Sequence, residues 1–273
     1  MDTSPQIERI HSTALVDKRA QLGSGVDIGP YCVVGPNVIL DDGVRLISHV
    51  VVDGCTKIGA RTILHPFSSL GTAPQHLHNK GEMAQLSIGQ NNIIREHVTL
   101  HVGTEDGRME TKVGDHCFFM VGSHVAHDCI IGDNVILTNS VALGGHVTVG
   151  DYAVIGGLTG VHQYVRIGKH SMVGGLSGVE KDVIPYALAM GNRAKLTGLN
   201  IVGLRRRGFS RSDIRSLRTA YGLLFSQGGT LSERLKEVAD LFSDHAGVME
   251  IINFIREDSS RPICTPAING NGG

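Results

Sequence analysis

The sequence predicts a parallel β-helix of hexapeptide repeats followed by a C-terminal α-helical appendix. Twenty-six times along its 273 residues, an aliphatic or aromatic residue opens a six-residue unit. Most of the positions four residues later hold a small or β-branched residue. A period of six fits neither the 3.6-residue turn of a helix nor a plainly alternating strand, but it is the period of hexapeptide β-helix repeats. After Pro185 this period ends, and apolar residues recur at helical spacing.

The first eleven repeats run without interruption from Ile10 to Leu70. Each aliphatic residue is expected to point inward against its equivalents in the coils above and below, while the small residue turns the corner. A glycine often follows the aliphatic residue directly, and we interpret it as a source of backbone conformations that other residues avoid. These glycines are Gly23, Gly29, Gly35, Gly59 and Gly71.

The repeat pattern breaks after Leu70 and again after Leu100. Three repeats lie between the two breaks and twelve follow, the last of which opens at Val179. We therefore predict loops pushed out of the coil at residues 71–87 and 101–112. In solenoids such insertions tend to lie on one face, often the binding face, so these loops are the first places to look for a site. The alternative is a pair of bulges without function.

The chain divides into an expected β-helix at 1–190 and a helical domain at 191–273, which ends in a tail that is expected to be disordered. Ser210 begins one helical stretch, and Thr230 with Glu233 makes a capping box ahead of a second. A third apolar stretch brings the expected number to about three helices. The apolar positions of the three stretches are Ile214, Leu217, Tyr221, Leu224 and Phe225; Leu235, Val238 and Phe242; and Ile251, Ile252 and Phe254.

Composition narrows the protein classes further. Apolar residues make up 41% of the chain, but none of their runs is long enough to span a membrane. The polar start carries no secretory signal, which predicts a cytoplasmic protein, and a formal charge of −1 gives no sign of nucleic-acid binding. Cys32, Cys117 and Cys129 occupy the small-residue slot and are interpreted as core fillers. The spacing of Cys55 and Cys264 supports neither a disulfide framework nor a zinc motif.

One polar stretch, residues 124–128, lies within the repeat frame, which fixes where each side chain points. If each coil takes three repeats, residues eighteen apart stack in one column. Gly145 then lies over His127 and Gln163 lies two coils over it, with His146 beside Gly145. Because neighbouring strands lie about 4.8 Å apart, an imidazole, a bare amide and a carboxamide come within roughly 10 Å of one another. An imidazole can take a proton from a hydroxyl and a glycine N–H can hold an oxyanion, so the column predicts an acyl-transfer site.

Two other interpretations of these histidines remain open on spacing alone. They could be exposed corner residues, each hydrogen-bonded to water. Alternatively, His124, His127 and His146 could converge as three imidazoles, which is the ligand number of a catalytic zinc site.

Several segments together resemble one known family. They are HVAHDC at 124–129, GGHV at 144–147, GVHQY at 160–164, GGLSGV at 174–179, GN at 191–192, GLRRRGFS at 203–210 and RE-VT-H at 95–101. From Ile7 to Ser210, and in its helical C-terminus, the chain resembles the UDP-N-acetylglucosamine O-acyltransferases, which begin lipid A synthesis. The resemblance implies a left-handed coil of triangular section and a homotrimer with active sites in the clefts between subunits.

The resemblance also implies a reaction. Members of the family move an R-3-hydroxyacyl group from the phosphopantetheine arm of acyl carrier protein to the 3-hydroxyl of UDP-N-acetylglucosamine. It implies no metal and no tightly bound cofactor. By the resemblance, His127 is the general base, Asp128 orients it and Gly145 stabilises the oxyanion. Residues matching those that line the sugar and thioester region are Gln75, His124, His146 and Gln163, and those matching the nucleotide-binding group are Asn200, Arg206 and Arg207.

Two further sites follow from the resemblance and from spacing. Gly175 matches the position that bounds the acyl pocket, and a glycine there leaves room for a long acyl chain. Arg211, Arg215 and Arg218 lie on one face of the first predicted C-terminal helix, where a basic stripe suits an acidic acyl carrier protein. A solvated helix face is the alternative.

The chain departs from the family pattern at two places. Where the family commonly has Gln-Asp-Leu-Lys, this chain reads Gln75-His76-Leu77-His78, so His76 replaces an acid that contacts the sugar. The acceptor could therefore carry a 3-hydroxyl or a 3-amino group. Val202 stands where a glutamate is usual near the nucleotide.

Other functional classes compatible with the repeats are a different sugar N-acyltransferase, a metal-dependent trimer similar to γ-carbonic anhydrase, and a non-catalytic repeat protein.

Overall fold

The structure, a computed structural model, describes residues 9–77, 80–81, 83–257 and 260–267. His78 and the predicted disordered tail after residue 267 lie outside the described residues. Within these ranges the chain forms 28 strands, most of them two residues long. In chain order they are β1 (Arg9–Ile10), β2 (Leu15–Val16), β3 (Gln21–Leu22), β4 (Asp27–Ile28), β5 (Val33–Val34), β6 (Val38–Leu40), β7 (Arg45–Leu46), β8 (Val51–Val52), β9 (Cys55–Ile58), β10 (Ile63–Leu64), β11 (Ser69–Thr72), β12 (Gln85–Ile88), β13 (Ile93–Ile94), β14 (Thr99–His101), β15 (Glu110–Val113), β16 (Phe118–Phe119), β17 (His124–Val125), β18 (Ile130–Ile131), β19 (Ile136–Leu137), β20 (Ala142–Leu143), β21 (Thr148–Val149), β22 (Val154–Ile155), β23 (Gly160–Val161), β24 (Arg166–Ile167), β25 (Met172–Val173), β26 (Gly178–Val179), β27 (Ala187–Met190) and β28 (Lys195–Leu199).

Successive strands join three sheets in turn, so each coil contributes one strand to each face of a triangular prism. We call the sheets I, II and III in the order in which β1, β2 and β3 enter them; they contain 11, 9 and 8 of the described strands. Pairing between coils is parallel and, in uninterrupted coils, joins residues eighteen apart, such as Asp27 with Arg45. The predicted left-handed parallel β-helix is confirmed.

The aliphatic residues that open the repeats fill the interior of the prism. In sheet I, Ile28, Leu46, Leu64, Ile94, Phe119 and Leu137 stack on one another and are at most 1% exposed. Full burial of such a side chain contributes roughly 1.5–3 kcal/mol, so the stack stabilises every coil through its neighbours. Cys32, Cys117 and Cys129 are buried in the same interior, as predicted.

Most corners are turned by a residue in the left-handed conformation, three positions after the inward aliphatic. Side chains other than glycine fill most of these positions, for example His49, Asp128 and Tyr152, with φ between 51° and 61°. We name the three edges of the prism by the sheets that meet there. Edge I–II runs past residues 140, 158 and 176, edge II–III past 128, 146 and 164, and edge III–I past 134, 152 and 170.

The role predicted for the glycines after the aliphatic residues is wrong at Gly23, Gly29, Gly35 and Gly59. Their φ values lie outside the left-handed region, and of the five only Gly71 has a positive φ, 76°. A Cβ on Gly59 would lie 2.5 Å from the carbonyl carbon of Gly89 in the next coil. Close approach of neighbouring coils, rather than backbone conformation, therefore requires glycine at these positions.

Both segments predicted as loops leave the coil at edge II–III. One lies between β11 and β12 and the other between β14 and β15, one coil further on. Strand pairing across them joins residues 30 and 25 apart, as in Ser69 with Thr99 and Thr99 with His124. The two inserts therefore stack at one edge, directly before the coil that carries residues 124–128.

The C-terminal part packs on the end of the prism. β27 and β28 form an antiparallel hairpin, so sheet I runs past the expected domain boundary at residue 190. The described helices are α1 (Ile201–Arg206), α2 (Arg211–Leu224), α3 (Leu231–Leu241) and α4 (Ala246–Arg256). The predicted capping box of Thr230 with Glu233 is present, and α1 is an additional helix that is too short to show a periodic pattern.

Side-chain contacts of Arg166 and Lys169 help to join the helices to the coils. Arg166 donates to Asp182, Glu257 and the carbonyl oxygen of Phe254, and Lys169 lies 2.7 Å from Glu250. Residues 260–267, which we call the C-terminal strap, then return to the β-helix and form bridges at Ile263 and Pro266. None of the helices within the described ranges is long and apolar enough to cross a membrane.

Candidate active site

Edge II–III carries the polar column predicted from the sequence. β17 pairs with β20 and β20 with β23, each at an offset of eighteen residues. Gly145 therefore lies over His127, and Gln163 lies one coil beyond Gly145. The predicted stacking of these three residues is confirmed.

His127 and Asp128 form a hydrogen-bonded pair. Nδ1 of His127 lies 2.8 Å from Oδ2 of Asp128. The side chain of His127 is 12% exposed and that of Asp128 is fully buried. An ionised carboxylate only accepts hydrogen bonds, so Nδ1 carries the proton and the lone pair of Nε2 is left to act as a base.

Asp128 is held by the insert between β14 and β15. The hydroxyl of Thr104 donates to Oδ2 at 2.6 Å, and the backbone N–H groups of Thr104 and Arg108 donate to Oδ1 at 3.2 and 2.6 Å. Burial opposes the charge, but the hydrogen bonds from Thr104, His127 and Arg108 outweigh it and lower the pKa of Asp128 below its ordinary value. The carboxylate is therefore ionised at neutral pH and orients the imidazole.

Gly145 lies against the ring of His127. A Cβ on Gly145 would be 2.6 Å from Cε1 and 2.7 Å from Nε2 of His127, so any side chain would displace the base. The N–H of Gly145 donates to no acceptor within the described part of the chain. This amide is thus available to a ligand that reaches Nε2 of His127.

Two further imidazoles flank His127. The ring centroids of His76 and His146 lie 5.2 and 5.1 Å from that of His127. His146 stacks on Tyr164 at 4.4 Å, and its Nε2 lies 3.9 Å from Oδ2 of Asp128. Burial lowers the pKa of His146, although the charge of Asp128 opposes the shift. His146 is therefore mainly neutral at pH 7 and adds no fixed charge beside the base.

His124 lies on β17, three residues before His127. Its Nδ1 lies 2.8 Å from the hydroxyl of Thr99, and its ring meets that of His101 edge-on at 5.3 Å. Burial, and then the neighbouring His101 and His127, lower the pKa of His124 to about 4. His101 donates from Nδ1 to the carbonyl oxygen of Ala73 at 2.8 Å. Its buried Nε2 has no hydrogen-bond partner among the described residues.

His76, His124, His127 and Gly145 line a cleft of about 690 Å³ along edge II–III. The first insert reaches it through Gln75 and His76, and successive coils supply the rest of the lining. The lining residues from the coils are His101, His124, Ala126, His127, Ala142, Leu143, Gly144, Gly145, Gly160, Val161, His162, Gln163, Gly178, Val179 and Glu180. A basic imidazole, an unpaired amide and an apolar wall thus face one space.

The residues predicted to bind the nucleotide and to bound the acyl pocket lie away from edge II–III. Asn200 caps α1 and donates from its side chain to the carbonyl oxygen of His170, at edge III–I. The guanidinium of Arg207 lies 5.2 Å from the ring centroid of Tyr152 at the same edge. Arg206 is exposed on α1, as is Val202.

Gly175 lies at edge I–II. A Cβ there would lie 3.2 Å from the carbonyl oxygen of Gly157. One chain therefore brings together the predicted base, its acid and the oxyanion amide, but not the predicted nucleotide group or the predicted acyl pocket.

The side chains that could hold a metal ion are not the predicted set of His124, His127 and His146. Among the described residues, one group of ligand atoms lies within 4.8 Å, and it belongs to His127, Asp128 and His146. His124 instead bonds to Thr99.

The sequence interpretation did not identify His101, Thr104, Arg108 or His162 as site residues. Thr104 and Arg108 lie in an insert, where counting by eighteen fails because the strand pairing joins residues 25 apart. The signal available was the position of the insert itself, which was predicted to lie on a binding face. His162 directly precedes Gln163 and could have been found from the same column.

The three predicted docking arginines line a second cleft, on the helical domain. Arg211, Arg215 and Arg218 are exposed on α2. With Arg205, Phe209 and Ile214 they surround about 680 Å³. This cleft is basic and has an apolar floor.

Known proteins with similar sequences and structures share one description. The family model described as UDP-N-acetylglucosamine O-acyltransferase, domain 2, matches residues 182–264, and the bacterial transferase hexapeptide model matches 110–145. An acyl-[acyl-carrier-protein]–UDP-N-acetylglucosamine O-acyltransferase of Caulobacter vibrioides is 56% identical over 94% of this chain and 98% of its own length. The protein of the same name from Azorhizobium caulinodans is 50% identical, over 94% and 95%. The crystal structure of UDP-N-acetylglucosamine O-acyltransferase from Moraxella catarrhalis has a TM-score of 0.89 and 41% identity, and covers 93% of this chain and 98% of that one.

Proposed function

This chain belongs to the family of acyl-[acyl-carrier-protein]–UDP-N-acetylglucosamine O-acyltransferases, and we propose that His127 is the base with which it performs the family reaction. It transfers an R-3-hydroxyacyl group from acyl carrier protein to the 3-hydroxyl of UDP-N-acetylglucosamine, the first step of lipid A synthesis. The observation that carries the assignment of the base is the His127–Asp128 pair, set against the unpaired amide of Gly145 in one cleft.

The chemistry follows from these three groups. Nε2 of His127 takes the proton of the sugar 3-hydroxyl as that oxygen attacks the thioester carbonyl carbon. The charge that develops on the carbonyl oxygen is stabilised by the N–H of Gly145. The C–S bond then breaks, and the imidazolium returns its proton to the departing phosphopantetheine thiolate. Asp128 stays ionised throughout and stabilises the imidazolium through the 2.8 Å hydrogen bond.

The neighbouring histidines suit this scheme because they do not compete for the proton. Burial lowers the pKa of both His124 and His146, so both are mainly neutral at pH 7. Neutral imidazoles can hydrogen-bond to sugar hydroxyls and the thioester without adding charge. We assign the cleft residues His124, Gln75, His76 and Gln163, together with His146 beside His127, to contacts with these groups.

The distribution of predicted residues over three edges supports a homotrimer. His127 lies at edge II–III and Gly175 at edge I–II. Within the proposed nucleotide group, Asn200 and Arg207 contact residues of edge III–I, and Arg206 is exposed on α1 beside them. Each face is six residues wide and spans up to about 20 Å. A substrate at His127 can therefore meet arginine side chains of the nucleotide group when edge III–I of a neighbouring subunit faces edge II–III. We propose that the active site is built between two subunits in this way.

The basic cleft on α2 is the proposed dock for acyl carrier protein. Exposed guanidinium groups attract an acidic partner over several ångströms and raise its association rate. Gly175 bounds the proposed acyl pocket, where the lack of a side chain favours a long 3-hydroxyacyl chain. Transfer from carriers loaded with chains of different lengths tests this point, and the shortest chain being transferred best would contradict it.

The function is tested by transfer of a labelled 3-hydroxymyristoyl group from acyl carrier protein, run in parallel with UDP-N-acetylglucosamine and its 3-amino analogue. Turnover on the hydroxyl sugar is expected, with His76 replacing the usual acid. Turnover on the amino sugar alone would contradict the O-acyl assignment and make the residue at position 76 the candidate determinant. An H76D variant is the matched control for that outcome.

A further inference from the structure

The C-terminal strap is fixed to the end of the β-helix by backbone pairing. The N–H of Cys264 donates to the carbonyl oxygen of Asp182 at 2.7 Å, and that of Asp182 donates to Pro262 at 2.9 Å. Leu196 donates to Thr265 at 3.1 Å, and the side chain of Cys264 is fully buried. The strap therefore holds a defined position relative to the coils.

From this position the strap extends one side chain to the candidate active site. Nη2 of Arg261 lies 2.7 Å from Nδ1 of His162, and its Nε donates to the carbonyl oxygen of Gln163 at 3.2 Å. His162 and Gln163 turn edge II–III and line the same cleft as His127. A residue nearly one hundred positions later in the chain thus contacts the cleft wall from outside.

Two contacts of Nδ1 bear on which nitrogen of His162 carries the proton. Nδ1 lies 3.2 Å from the carbonyl oxygen of Gln163, which could only accept from it, and 2.7 Å from the guanidinium of Arg261, which can only donate to it. The guanidinium contact is the shorter and charge-assisted one, so we infer that Nδ1 of His162 accepts. The hydrogen of the neutral imidazole is then on Nε2, which makes His162 a hydrogen-bond donor with its remaining nitrogen. The second hydrogen bond, from Nε of Arg261 to the carbonyl oxygen of Gln163, fixes the backbone next to His162.

We propose that Arg261 is a positioning residue of this acyltransferase, which acts through His162. It holds His162 as the Nε2–H tautomer and fixes residues 162–163 where the polar thioester arm of the acyl donor passes. The substrate part of this proposal rests on the function proposed above. Asp182 supports the arrangement, because its carboxylate binds Arg166 while its backbone binds the strap.

A double-mutant cycle tests whether Arg261 acts through His162. We expect R261A to lower kcat/KM for the acyl carrier about tenfold and R261K to restore part of the loss, with an unchanged thermal midpoint. R256A is the matched control, because Arg256 is exposed and lines the same outer cavity as Arg261; its kcat/KM should stay within twofold. In the H162A background, R261A should lower kcat/KM for the acyl carrier less than twofold. An equal loss in both backgrounds would overturn the proposal.

The imidazole ¹⁵N spectrum supplies a readout that needs no substrate. In the wild-type protein, the His162 signals, assigned by their loss in H162Q, should show an unprotonated Nδ1 and a protonated Nε2. R261A should shift them toward a mixture of tautomers, whereas R256A should not. Unchanged His162 signals in R261A would overturn the proposal, whether or not the wild-type protein transfers an acyl group. A wild-type protein that transfers no acyl group would, by itself, contradict only the proposed function.

Discussion

Asp128, Asn134 and Ser140 turn the three corners of one coil with nearly the same backbone, since their φ angles are 61°, 57° and 57°. Their environments differ sharply. Asp128 is fully buried, Asn134 is half-buried and Ser140 is exposed. Only the first corner lies beside an insert, whose Thr104 and Arg108 donate three hydrogen bonds to its carboxylate. The repeat thus supplies a backbone position, and the insert turns one copy of it into a polar site.

The donors of the insert also explain why the buried negative charge of Asp128 is tolerated. A buried carboxylate without donors costs several kcal/mol and takes up a proton instead. At Asp128 the insert provides the donors, and His127 provides a further one. An aspartate placed at an exposed corner would remain solvated and would not hold an imidazole rigidly. The following predictions test the difference between the corner at Asp128 and its two counterparts.

The largest effect is expected from His127→Ala. Loss of a general base costs roughly 10²–10⁴-fold, so kcat for acyl transfer should fall by about 10³-fold. The fold should persist because the side chain lies outside the apolar interior, which circular dichroism checks. Ser140→Ala, at the exposed corner of the same coil, should leave kcat unchanged. Retained turnover in H127A would show that another group is the base.

A smaller loss is expected from Gly145→Ala. The added methyl would lie 2.6 Å from Cε1 of His127 and push the ring from its place. A misplacement of about 1 Å can cost about 10²-fold in rate. Gly222→Ala on α2, where a Cβ meets no atom within 4 Å, is the control and should keep full activity. Equal kcat values for G145A and the wild type would show that the ring adjusts without loss.

Asp128→Asn should have an intermediate effect on turnover and a pH-dependent effect on stability. Loss of a hydrogen bond to a charged group costs about 1.5–3 kcal/mol, or roughly 10- to 100-fold in kcat. Because the folded state lowers the pKa of Asp128, its ionised form stabilises the fold above the ordinary aspartate pKa of about 3.9. That stabilisation is lost as the pH falls through the lower folded value. Unfolding midpoints of the variant and the wild type should therefore differ at pH 7 and converge in acid; a constant difference would contradict this.

The smallest effect is expected away from the corners, on α2. Arg211→Glu with Arg215→Glu should raise the KM for acyl carrier protein about tenfold at low salt, with kcat little changed, because steering charges act mainly on association. The difference should shrink as ionic strength rises. Lys236→Glu, an exposed charge reversal on α3, is the matched control. An unchanged KM would remove this cleft as the dock.

The features that could be predicted from the sequence were those set by the regular hexapeptide repeat or by short local spacings. Counting by eighteen placed Gly145 and Gln163 over His127, because the repeats that open from Val113 to Val179 follow one another at equal length, three to a coil. The capping box at Thr230 was equally local, since its two partners lie three residues apart.

Contacts outside the repeat could not be predicted in this way. Thr104 and Arg108 lie in an insert of irregular length, and their hydrogen bonds to Asp128 depend on a loop conformation that no period describes. Arg261 reaches His162 from 99 positions away, through a strap whose path is set by pairing with Asp182. The candidate base His127 and its partner Asp128 were thus visible in the sequence, whereas the insert and strap residues that contact this edge were not.

The location of both inserts at edge II–III has a consequence for how such a protein can evolve. Within a coil, a deletion of one residue would rotate polar side chains into the interior and break the stacking above and below. At this edge, strand pairing already accommodates separations of 30 and 25 residues in place of eighteen, with both neighbouring strands still in register. Changes in insert length at this edge leave the stacked coils, which stabilise the fold, unchanged. They alter only the residues that line the cleft. Specificity for a new acceptor can therefore arise by exchange of a few loop residues, without a change in the stability of the β-helix.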